Sequence, residues 1–561
     1  MQLNDYLSQI NIEVLKDWFL YNPKKQMLFS TDRFLVLFLI FYFFYGLLRN
    51  TFRPRLAFTA AFSIFFYYLC SEKYFVLLIF STIVDYTLSY LLFREMRTIP
   101  RKLYLWFSVA VNLVFLGYFK YATFIAESGK ELFGWEYTVH KVLLPVGISF
   151  FTFQSISYII EVYRKEIIPA KNYLDYLFFV SFFPQLVAGP IVRAKDFLPQ
   201  IYSKLVLTKD DVTQAFFLII GGLIKKTIIS DYISINFVDR VFDAPDLYTP
   251  FENLMAAYGY TIQIYCDFSG YSDMAIGIAL LLGFKLPTNF RTPYKSASIT
   301  EFWRRWHISL STWLKDFLYI SVGGNRNGTF AGFLFPALFF FGVIVWGINY
   351  ASVSNIPLII GISSLVVFTL TFVLAKEKEK TMFTNVNLLT TMLLGGLWHG
   401  AGAKFIVWGA LHGIALAVHK IWMEFFPSKK DAKKTALSVV WKFIAVLITF
   451  HFVAFCWIFF RAKDKVNHED FKIALQVINN IGNITFEPEH WKTIIMGYKN
   501  VFMLMAFGYA WHLMPEGISS AMKRSFGKMP LVIKAIVLGF VFWLVYAASS
   551  AGPQPFIYFQ F

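Results

Sequence analysis

Two short segments of the chain carry side chains that could act as acids or bases. The first, Phe302–Ser311, reads FWRRWHISLS and contains His307; the second, Gly395–Gly400, reads GGLWHG and contains His399. Histidine is the side chain whose ordinary pKa lies nearest neutrality, so it suits proton transfer. Each of these histidines stands among tryptophans in a mainly apolar chain. Because a titratable group costs solvation energy at membrane depth, both are candidate functional residues.

The surroundings of His399 support two interpretations. The residue follows Trp398 in an apolar run and has four glycines nearby: Gly395, Gly396, Gly400 and Gly402. Glycine lets a substrate approach the backbone closely, which favours a reactive site. The same glycines suit a tight helix-packing seam, in which the histidine is a core residue bonded to a backbone carbonyl. The pattern alone leaves both interpretations open.

The segment that contains the first histidine predicts one amphipathic helix over Glu301–Tyr319. Apolar side chains recur there every three or four residues, at Trp303, Trp306, Leu310, Trp313, Leu314 and Phe317. That spacing places them on one helix face. We expect Thr300 to cap the start of the helix and the glycine-containing turn 321–326 to end it. Two arginines, Arg304 and Arg305, either meet lipid headgroups or border the entry for an anionic donor.

Carboxylates inside apolar runs form a second group of candidates. Asp267 and Asp273 lie in the apolar stretch Leu254–Leu282, and Asp85 lies in the run Tyr74–Phe93. Acids at membrane depth face a cavity or a partner. We expect them to give structural support by pairing with arginine or with backbone donors, and a proton relay is the alternative.

The remaining histidines and the cysteines do not predict a metal site. Four histidines lie in or beside the C-terminal apolar runs: His399, His412, His419 and His451. None of them is spaced as HxxxH or HExxH, the patterns that place two ligands on one helix face. The three cysteines form no CxxC pair: Cys70, Cys266 and Cys456. We expect small buried thiols and neither a metal nor a bound cofactor.

The composition is that of a chain that resides in lipid. Of 561 residues, 57% are hydrophobic and 16% are charged, and 66 are phenylalanine. The mean hydropathy is +0.54. Soluble chains are about 45–50% apolar and about one quarter charged. The formal net charge of +17 is divided among short basic clusters between apolar runs, which is typical of cytoplasmic loops and not of a nucleic-acid-binding stripe.

Apolar runs of nearly spanning length recur along the chain, from Phe34–Leu48 to Leu531–Ala547. A spanning helix needs about 20 mainly apolar residues, and several runs are shorter or contain glycine and proline. We therefore expect an all-α polytopic membrane protein with roughly 11–14 transmembrane helices plus re-entrant and interfacial helices.

The domain organisation follows from where polar residues are concentrated. Residues 1–26 are polar and mixed in charge, and they show no basic segment before an apolar one, so we expect no cleavable signal peptide there. Residues 27–561 are interpreted as one membrane-embedded domain, with a motif core at 254–424 and C-terminal spans at 437–561.

Five long segments together resemble the membrane-bound O-acyltransferase (MBOAT) family, in particular its bacterial alginate O-acetylation branch. Two of the matching motifs contain the candidate histidines: LPTNFRTPYKSASITEFWRRWHISLSTWLKDFLYISVGGNR at 286–326 and LLGGLWHGAGAKFIVWGALHG at 393–413. The others are LPVGISFFTFQSISYIIEVYR at 144–164, FFPQLVAGPIVR at 182–193 and YCDFSGYSDMAIG at 265–277. The resemblance covers nearly the whole chain. The start at Met27 resembles where such proteins usually begin, which implies that residues 1–26 are an N-terminal extension.

The resemblance implies the MBOAT fold, in which helices surround a central tunnel through the membrane, and acyl transfer within that tunnel. The family's essential histidine falls on His399 and its second histidine on His307. A thioester donor, with acetyl-coenzyme A as the expected substrate or an acyl carrier in its place, would enter from the cytoplasm. An exported polysaccharide would receive the acyl group on the other side, with an extracytoplasmic SGNH-type partner. The expected location is the bacterial cytoplasmic membrane.

Elementary chemistry assigns expected roles to these residues. A hydroxyl nucleophile is weak at neutral pH and needs a base, which an imidazole can supply. We expect His399 to be that base, and His307 to orient the reaction or to polarise the thioester carbonyl. Candidates for the acyl-donor tunnel are Trp303, Arg304, Arg305, Asn325 and Trp398.

Other functions stay open at this point. A neighbouring branch of the family transfers D-alanine to teichoic acid from a carrier protein. The intramembrane acids Asp85, Asp267 and Asp273 would suit a proton-coupled transporter, although no inverted repeat is visible. A scaffold for a secretion complex would leave the two Trp-His motifs unexplained. The acceptor polymer is also open: alginate, another exopolysaccharide, peptidoglycan or a secondary cell-wall glycan.

Overall fold

The computed structural model describes residues 18–23, 26–133, 144–350, 356–427, 435–463, 470–548 and 557. Regular structure in these ranges is helical, and they contain no β-strand. The predicted all-α class is therefore confirmed. Most of the predicted extension 1–26 lies outside the described residues.

The chain forms two compact units, each assembled from segments that are separate in sequence. The first contains residues 1–228, 267–287 and 520–560, and the second contains 229–266, 288–519 and 561. Both candidate histidines, His307 and His399, belong to the second unit.

The first unit is built around phenylalanine side chains. Its helices are Asp32–Leu47, Phe52–Ser71, Phe75–Arg94, Thr98–Phe133, Ile148–Tyr163, Tyr173–Ser181, Phe183–Leu186, Ala194–Tyr202, Lys209–Leu223 and Leu531–Ala548. Phe183 is fully buried, and its ring centroid lies 5.1 Å from that of Phe62 and 5.6 Å from that of Phe66. Aromatic rings at these separations attract one another beyond their burial, which accounts for part of the unusual phenylalanine content.

The second unit holds the helices that carry the candidate site. They are Asp239–Asp243, Ile299–Trp303, Ile308–Trp313, Phe330–Tyr350, Ile356–Val373, Lys378–His399, Ala403–Phe425, Ala436–Arg461, Asp470–Gly482, Pro488–Gly497 and Lys499–Leu513. Helical turns of the wider π type occur at Ser234–Val238 and Leu314–Tyr319. Three further helical stretches, Ile224–Asp231, Pro250–Leu281 and Glu516–Lys528, contribute residues to both units.

Five helical stretches in the described residues are long and apolar enough to cross a membrane. They are Phe52–Arg94, Thr98–Glu127, Lys209–Asp243, Ala403–Phe425 and Ala436–Arg461, and a bent pair, Glu516–Lys528 with Val532–Val545, would make a sixth. The polytopic membrane class is thus confirmed. The number is below the predicted 11–14 because many apolar runs form shorter or interrupted helices, such as the 16-residue Ile148–Tyr163.

Two glycines let the helices Lys378–His399 and Ala403–Phe425 pack backbone against backbone. A Cβ atom on Gly396 would lie 2.2 Å from the carbonyl oxygen of Phe405. A Cβ atom on Gly409 would lie 2.2 Å from the carbonyl oxygen of Met392. Both distances are far inside van der Waals contact, so Gly396 serves the packing seam that was one of the two interpretations of this motif.

Candidate active site

His399 is the last residue of the helix Lys378–His399, and its ring is buried among aromatic side chains. Only 3% of the residue is exposed. The ring centroids of Trp398, Trp408 and Phe460 lie 4.9, 5.0 and 5.3 Å from the imidazole centroid. The helix stops here because the following glycine is extended, with φ −163°. A helix C-terminus carries partial negative charge, which favours a positive charge at this position.

The predicted continuous helix over Glu301–Tyr319 is wrong because the chain breaks at His307. The structure has one helix at Ile299–Trp303 and another at Ile308–Trp313, and His307 lies between them with φ +42°. A residue other than glycine in this left-handed region costs about 1–3 kcal/mol, and such residues cluster at functional sites. The strained backbone conformation is thus that of His307, one of the two candidate histidines.

Backbone contacts with a distant segment explain the break. The N–H of Ile308 donates to the carbonyl oxygen of Asn289 at 2.9 Å, and the N–H of Arg291 donates to the carbonyl oxygen of Arg305 at 2.9 Å. These bonds replace the hydrogen bonds that a continuous helix would have made. Tertiary pairing therefore overrides the local helical pattern.

Asn289 also fixes the His307 ring. The backbone N–H and the hydroxyl of Ser309 both donate to Asn289 Oδ1, at 3.2 and 2.9 Å, and His307 Nδ1 lies 3.2 Å from the same atom. Because a backbone N–H can only donate, the atom it meets is the amide oxygen, and Nδ1 must carry the hydrogen of this bond. In the neutral ring, Nε2 then carries a lone pair.

The charge state of His307 follows from its burial. The residue is fully buried, and desolvation of the charged form lowers the pKa of its imidazole to about 3. The ring is therefore neutral at physiological pH. It can accept or donate a hydrogen bond, but it does not supply a positive charge.

Trp398 connects the two candidate histidines. Its ring centroid lies 4.9 Å from that of His399 and 6.3 Å from that of His307. Both imidazoles thus contact one indole within the second unit. This relationship brings together three of the residues singled out in the sequence.

Trp303 joins the same aromatic group through residues that sequence reasoning missed. Its ring centroid lies 5.8 Å from that of Trp408 and 5.3 Å from that of His412, and Trp408 contacts the candidate base. A signal was available, because Trp408 and His412 are four residues apart in the motif at 393–413 and so share one face of the helix Ala403–Phe425.

The two arginines before the break are not ring neighbours of the histidines. Arg305 forms an ion pair with Glu301 at 2.8 Å, and Arg304 is exposed. The first helix is capped by Ser298, whose hydroxyl accepts from the N–H of Glu301 at 3.2 Å, and not by Thr300 as predicted. Of these two arginines, Arg305 is therefore paired with a carboxylate, whereas Arg304 has no carboxylate partner among the ion pairs of the described residues.

Asn325 lies in an exposed turn. Its Oδ1 accepts a hydrogen bond from the Tyr319 hydroxyl at 2.5 Å and a longer one from the Thr384 hydroxyl at 3.5 Å. The turn itself matches the prediction, since Gly323 and Gly324 have φ of +120° and +59°. The hydrogen bonds of Asn325 thus join the turn to Tyr319 and to Thr384 of the helix Lys378–His399, and neither of them involves a candidate histidine.

The two acids of the 265–277 motif are held by lysines in the first unit. Lys226 Nζ lies 2.5 Å from Asp267 Oδ1, and Lys225 Nζ lies 2.5 Å from Asp273 Oδ2. The second oxygen of Asp267 accepts the backbone N–H of Ile557 at 3.0 Å. These contacts favour the structural interpretation of the acids, with lysine in place of the expected arginine.

Asp85 is satisfied by neutral side chains. Its carboxylate accepts from the Ser108 hydroxyl at 2.6 Å and from the Asn112 amide at 2.9 and 3.1 Å. The Ser81 hydroxyl lies 3.4 Å away. Hydrogen-bonded polar networks of this kind hold neighbouring helices together, here Phe75–Arg94 and Thr98–Phe133.

No group of three or more His, Cys, Asp or Glu side chains in the described ranges could hold a metal ion. The three cysteines, Cys70, Cys266 and Cys456, are buried. The side chains gathered at the candidate site are imidazoles and indoles in an aromatic setting.

Comparison with known proteins agrees with this chemistry. Residues 104–348 match the family model described as MBOAT, membrane-bound O-acyltransferase family. A probable alginate O-acetylase of Pseudomonas putida is 38% identical over 445 residues, which are 78% of this chain and 78% of the relative. A peptidoglycan O-acetyltransferase of Helicobacter pylori is 33% identical over 78% of this chain and 77% of the relative. A teichoic acid D-alanyltransferase of Bacillus subtilis is 28% identical over 59% of this chain and 71% of the relative.

The first two relatives are named for O-acetyl transfer with different acceptors, and the third is named for D-alanyl transfer to teichoic acid. Identity above 30% across more than three quarters of both chains is too extensive to arise from membrane composition alone. The protein is a multi-pass membrane enzyme, an O-acyltransferase of the membrane-bound O-acyltransferase family.

Proposed function

We propose that this O-acyltransferase moves an acetyl group from a cytoplasmic thioester, with acetyl-coenzyme A as the donor, to hydroxyls of an exported polysaccharide. The enzyme would work in the bacterial cytoplasmic membrane with an extracytoplasmic partner of the SGNH type. The observation that carries the proposal is the contact of both His307 and His399 with the single indole of Trp398. Two imidazoles in one buried cluster provide the groups that acyl transfer to a hydroxyl requires.

His399 is the proposed base. Its ring takes the proton of the acceptor hydroxyl as the hydroxyl oxygen attacks the thioester carbonyl carbon. The carbon–sulfur bond then breaks, the thiol leaves, and the proton passes from the imidazolium to the thiolate. The partial negative charge at the end of the helix Lys378–His399 stabilises the imidazolium in between.

His307 is proposed to orient the acceptor hydroxyl. The Nδ1–H bond to Asn289 leaves Nε2 as a hydrogen-bond acceptor, and an acceptor cannot polarise a carbonyl oxygen. A neighbouring hydroxyl of the acceptor sugar can donate to that nitrogen and so hold the reacting hydroxyl in place, while the proton of the reacting hydroxyl goes to His399. The tautomer therefore favours the first of the two roles expected from the sequence.

The relatives support acetyl as the acyl group. Both the alginate and the peptidoglycan relative are named for O-acetyl transfer and match 78% of the chain, whereas the D-alanyl relative matches 59%. A D-alanyl donor presented by a carrier protein is the second candidate, because the teichoic acid D-alanyltransferase is also similar to this chain.

The test uses purified enzyme in lipid nanodiscs with acetyl-coenzyme A, its SGNH partner and acetyl-free polysaccharide. Wild type should release coenzyme A and form acetyl esters, and His399→Ala should lose both by about 100-fold or more. His451→Ala is the matched control, because that imidazole is exposed and bonds only the carbonyl oxygen of Leu447 among described residues. Normal transfer by folded His399→Ala would contradict the assignment of the base. Transfer from a D-alanyl carrier but not from acetyl-coenzyme A would replace the donor.

A further inference from the structure

Three aromatic side chains, one of which contacts the candidate base, have hydrogen-bond donors without acceptors. Trp303, Trp408 and His412 are 8%, 1% and 0% exposed. Their rings contact one another, with centroid separations of 5.8, 5.3 and 4.8 Å. In the described part of the chain, neither indole Nε1 nor either His412 nitrogen has a hydrogen-bond partner. We call these three residues the donor cluster.

Such a cluster is costly unless something accepts from it. An indole N–H can only donate, and a neutral imidazole always has one N–H to donate. A buried donor with no acceptor costs about 1–3 kcal/mol. Folded proteins contain few such groups, and here three of them are in mutual contact.

Apart from His399, the ring neighbours of the donor cluster are phenylalanines and Trp457, none of which has a conventional acceptor. The ring of Phe302 stacks on His412 at 6.0 Å and 13°, and the ring of Phe452 meets His412 edge-on at 5.8 Å. These rings exclude water and supply no conventional acceptor. A ligand that brings an oxygen with lone pairs and no hydrogen would complement the cluster, as a carbonyl does.

The cluster is adjacent to the proposed base. The Trp408 ring centroid lies 5.0 Å from that of His399, with the rings nearly perpendicular at 87°. An oxygen bound by the cluster therefore belongs to a group close to the imidazole that removes the proton. The carbonyl of the acyl thioester is the group that the reaction requires there.

We propose that Trp303, Trp408 and His412 bind the thioester carbonyl oxygen of the acyl donor and stabilise its negative charge during transfer. This inference rests on the proposed function. When the acceptor oxygen bonds to the carbonyl carbon, the carbonyl π electrons move onto the carbonyl oxygen. The N–H groups donate to that oxyanion until the double bond re-forms and the carbon–sulfur bond breaks. Donors fixed in a dry site need no reorganisation as the charge develops.

The decisive variants remove an N–H and keep an aromatic ring. Trp408→Phe and His412→Phe should each lower the rate of acetyl transfer by about 100-fold, the effect of losing one oxyanion donor. His412→Asn, which retains a donor, should recover part of the rate. Trp422→Phe is the matched control, because this indole lies on the same helix, is 45% exposed and stacks on Trp441.

A binding measurement separates hydrogen bonding from packing. In the His399→Ala background, affinity for acetyl-coenzyme A is compared with affinity for S-ethyl-coenzyme A, a thioether that lacks the carbonyl oxygen. The parent should prefer the thioester, and the Trp408→Phe and His412→Phe versions should lose that preference. A ratio of affinities does not depend on the folded fraction, so it remains informative if a variant is less stable.

The outcomes also separate this inference from the proposed function. If the wild type is active and the Trp408→Phe and His412→Phe variants match Trp422→Phe in rate and selectivity, the proposed role of the donor cluster is wrong. The proposed acyltransferase function would still stand. A wild type that transfers acetyl from no thioester would instead contradict the proposed function.

Discussion

His307 Nδ1 and Asn289 Oδ1 are joined by a hydrogen bond of 3.2 Å across 18 residues of chain. The same oxygen accepts from the backbone and side chain of Ser309. One amide oxygen thus sets the tautomer of an imidazole in the candidate site and holds the strained backbone beside it. This geometry, more than the histidine itself, gives His307 its capacity to accept a hydrogen bond at Nε2.

Replacing Asn289 should slow acetyl transfer even where the protein remains folded. Asn289→Ala leaves His307 Nδ1 and the Ser309 donors without their acceptor, at about 1–3 kcal/mol for a buried donor, and it frees the imidazole to change tautomer. We expect acetyl transfer to fall by about 10–100-fold. The comparison is with Ser309→Ala, which removes one donor but keeps the His307 bond. Equal rates for the two variants would show that the tautomer is unimportant.

The neutral His307 should make folding stability depend on pH. Burial lowers the pKa of this imidazole from 6.5 to about 3, so the unfolded chain binds a proton there that the folded chain does not. The contribution to stability is complete above pH 6.5 and is lost as the pH falls, by up to about 1.4 kcal/mol per pH unit. His307→Asn, which tolerates the left-handed backbone, should show a shallower loss between pH 7 and 5 in thermal unfolding. If the unfolding temperatures of wild type and His307→Asn fell equally with pH, the His307 ring would not be buried in its neutral form.

The buried pair Lys226–Asp267 should respond differently to single and double replacement. Their side chains are 2% and 4% exposed, so Lys226→Met leaves a buried carboxylate without its cation, at about 3–5 kcal/mol. Adding Asp267→Asn removes that charge and should restore much of the stability, while the amide oxygen can still accept from Ile557. Unfolding temperatures in one detergent measure the effect. Lys380→Ala, which breaks an exposed pair with Glu377, should change little.

The sequence predicted the parts of the site that lie within single motifs. Trp398 and His399 are adjacent in the chain, so their contact follows from the motif alone. The break at His307 could not be predicted, because it depends on hydrogen bonds to Asn289, which local periodicity does not register. Lys226 was visible as a cation inside an apolar run, but its partner, Asp267, lies 41 residues away, and pairing at that distance is a property of the fold.

The close approach at Gly409 should position His399. A Cβ atom there would lie 2.2 Å from the backbone oxygen of Met392, so Gly409→Ala must push the helix Ala403–Phe425 away from the helix that ends at His399. We expect a loss of stability of about 1–3 kcal/mol from overpacking. Acetyl transfer should also fall, and it should stay low when the assay is run at a lower temperature at which the variant is folded. Gly46→Ala is the control, since a Cβ atom at that helical position meets nothing within 4 Å and alanine favours helix. If Gly409→Ala were as active and stable as Gly46→Ala, the seam would not be what holds His399 against Trp408.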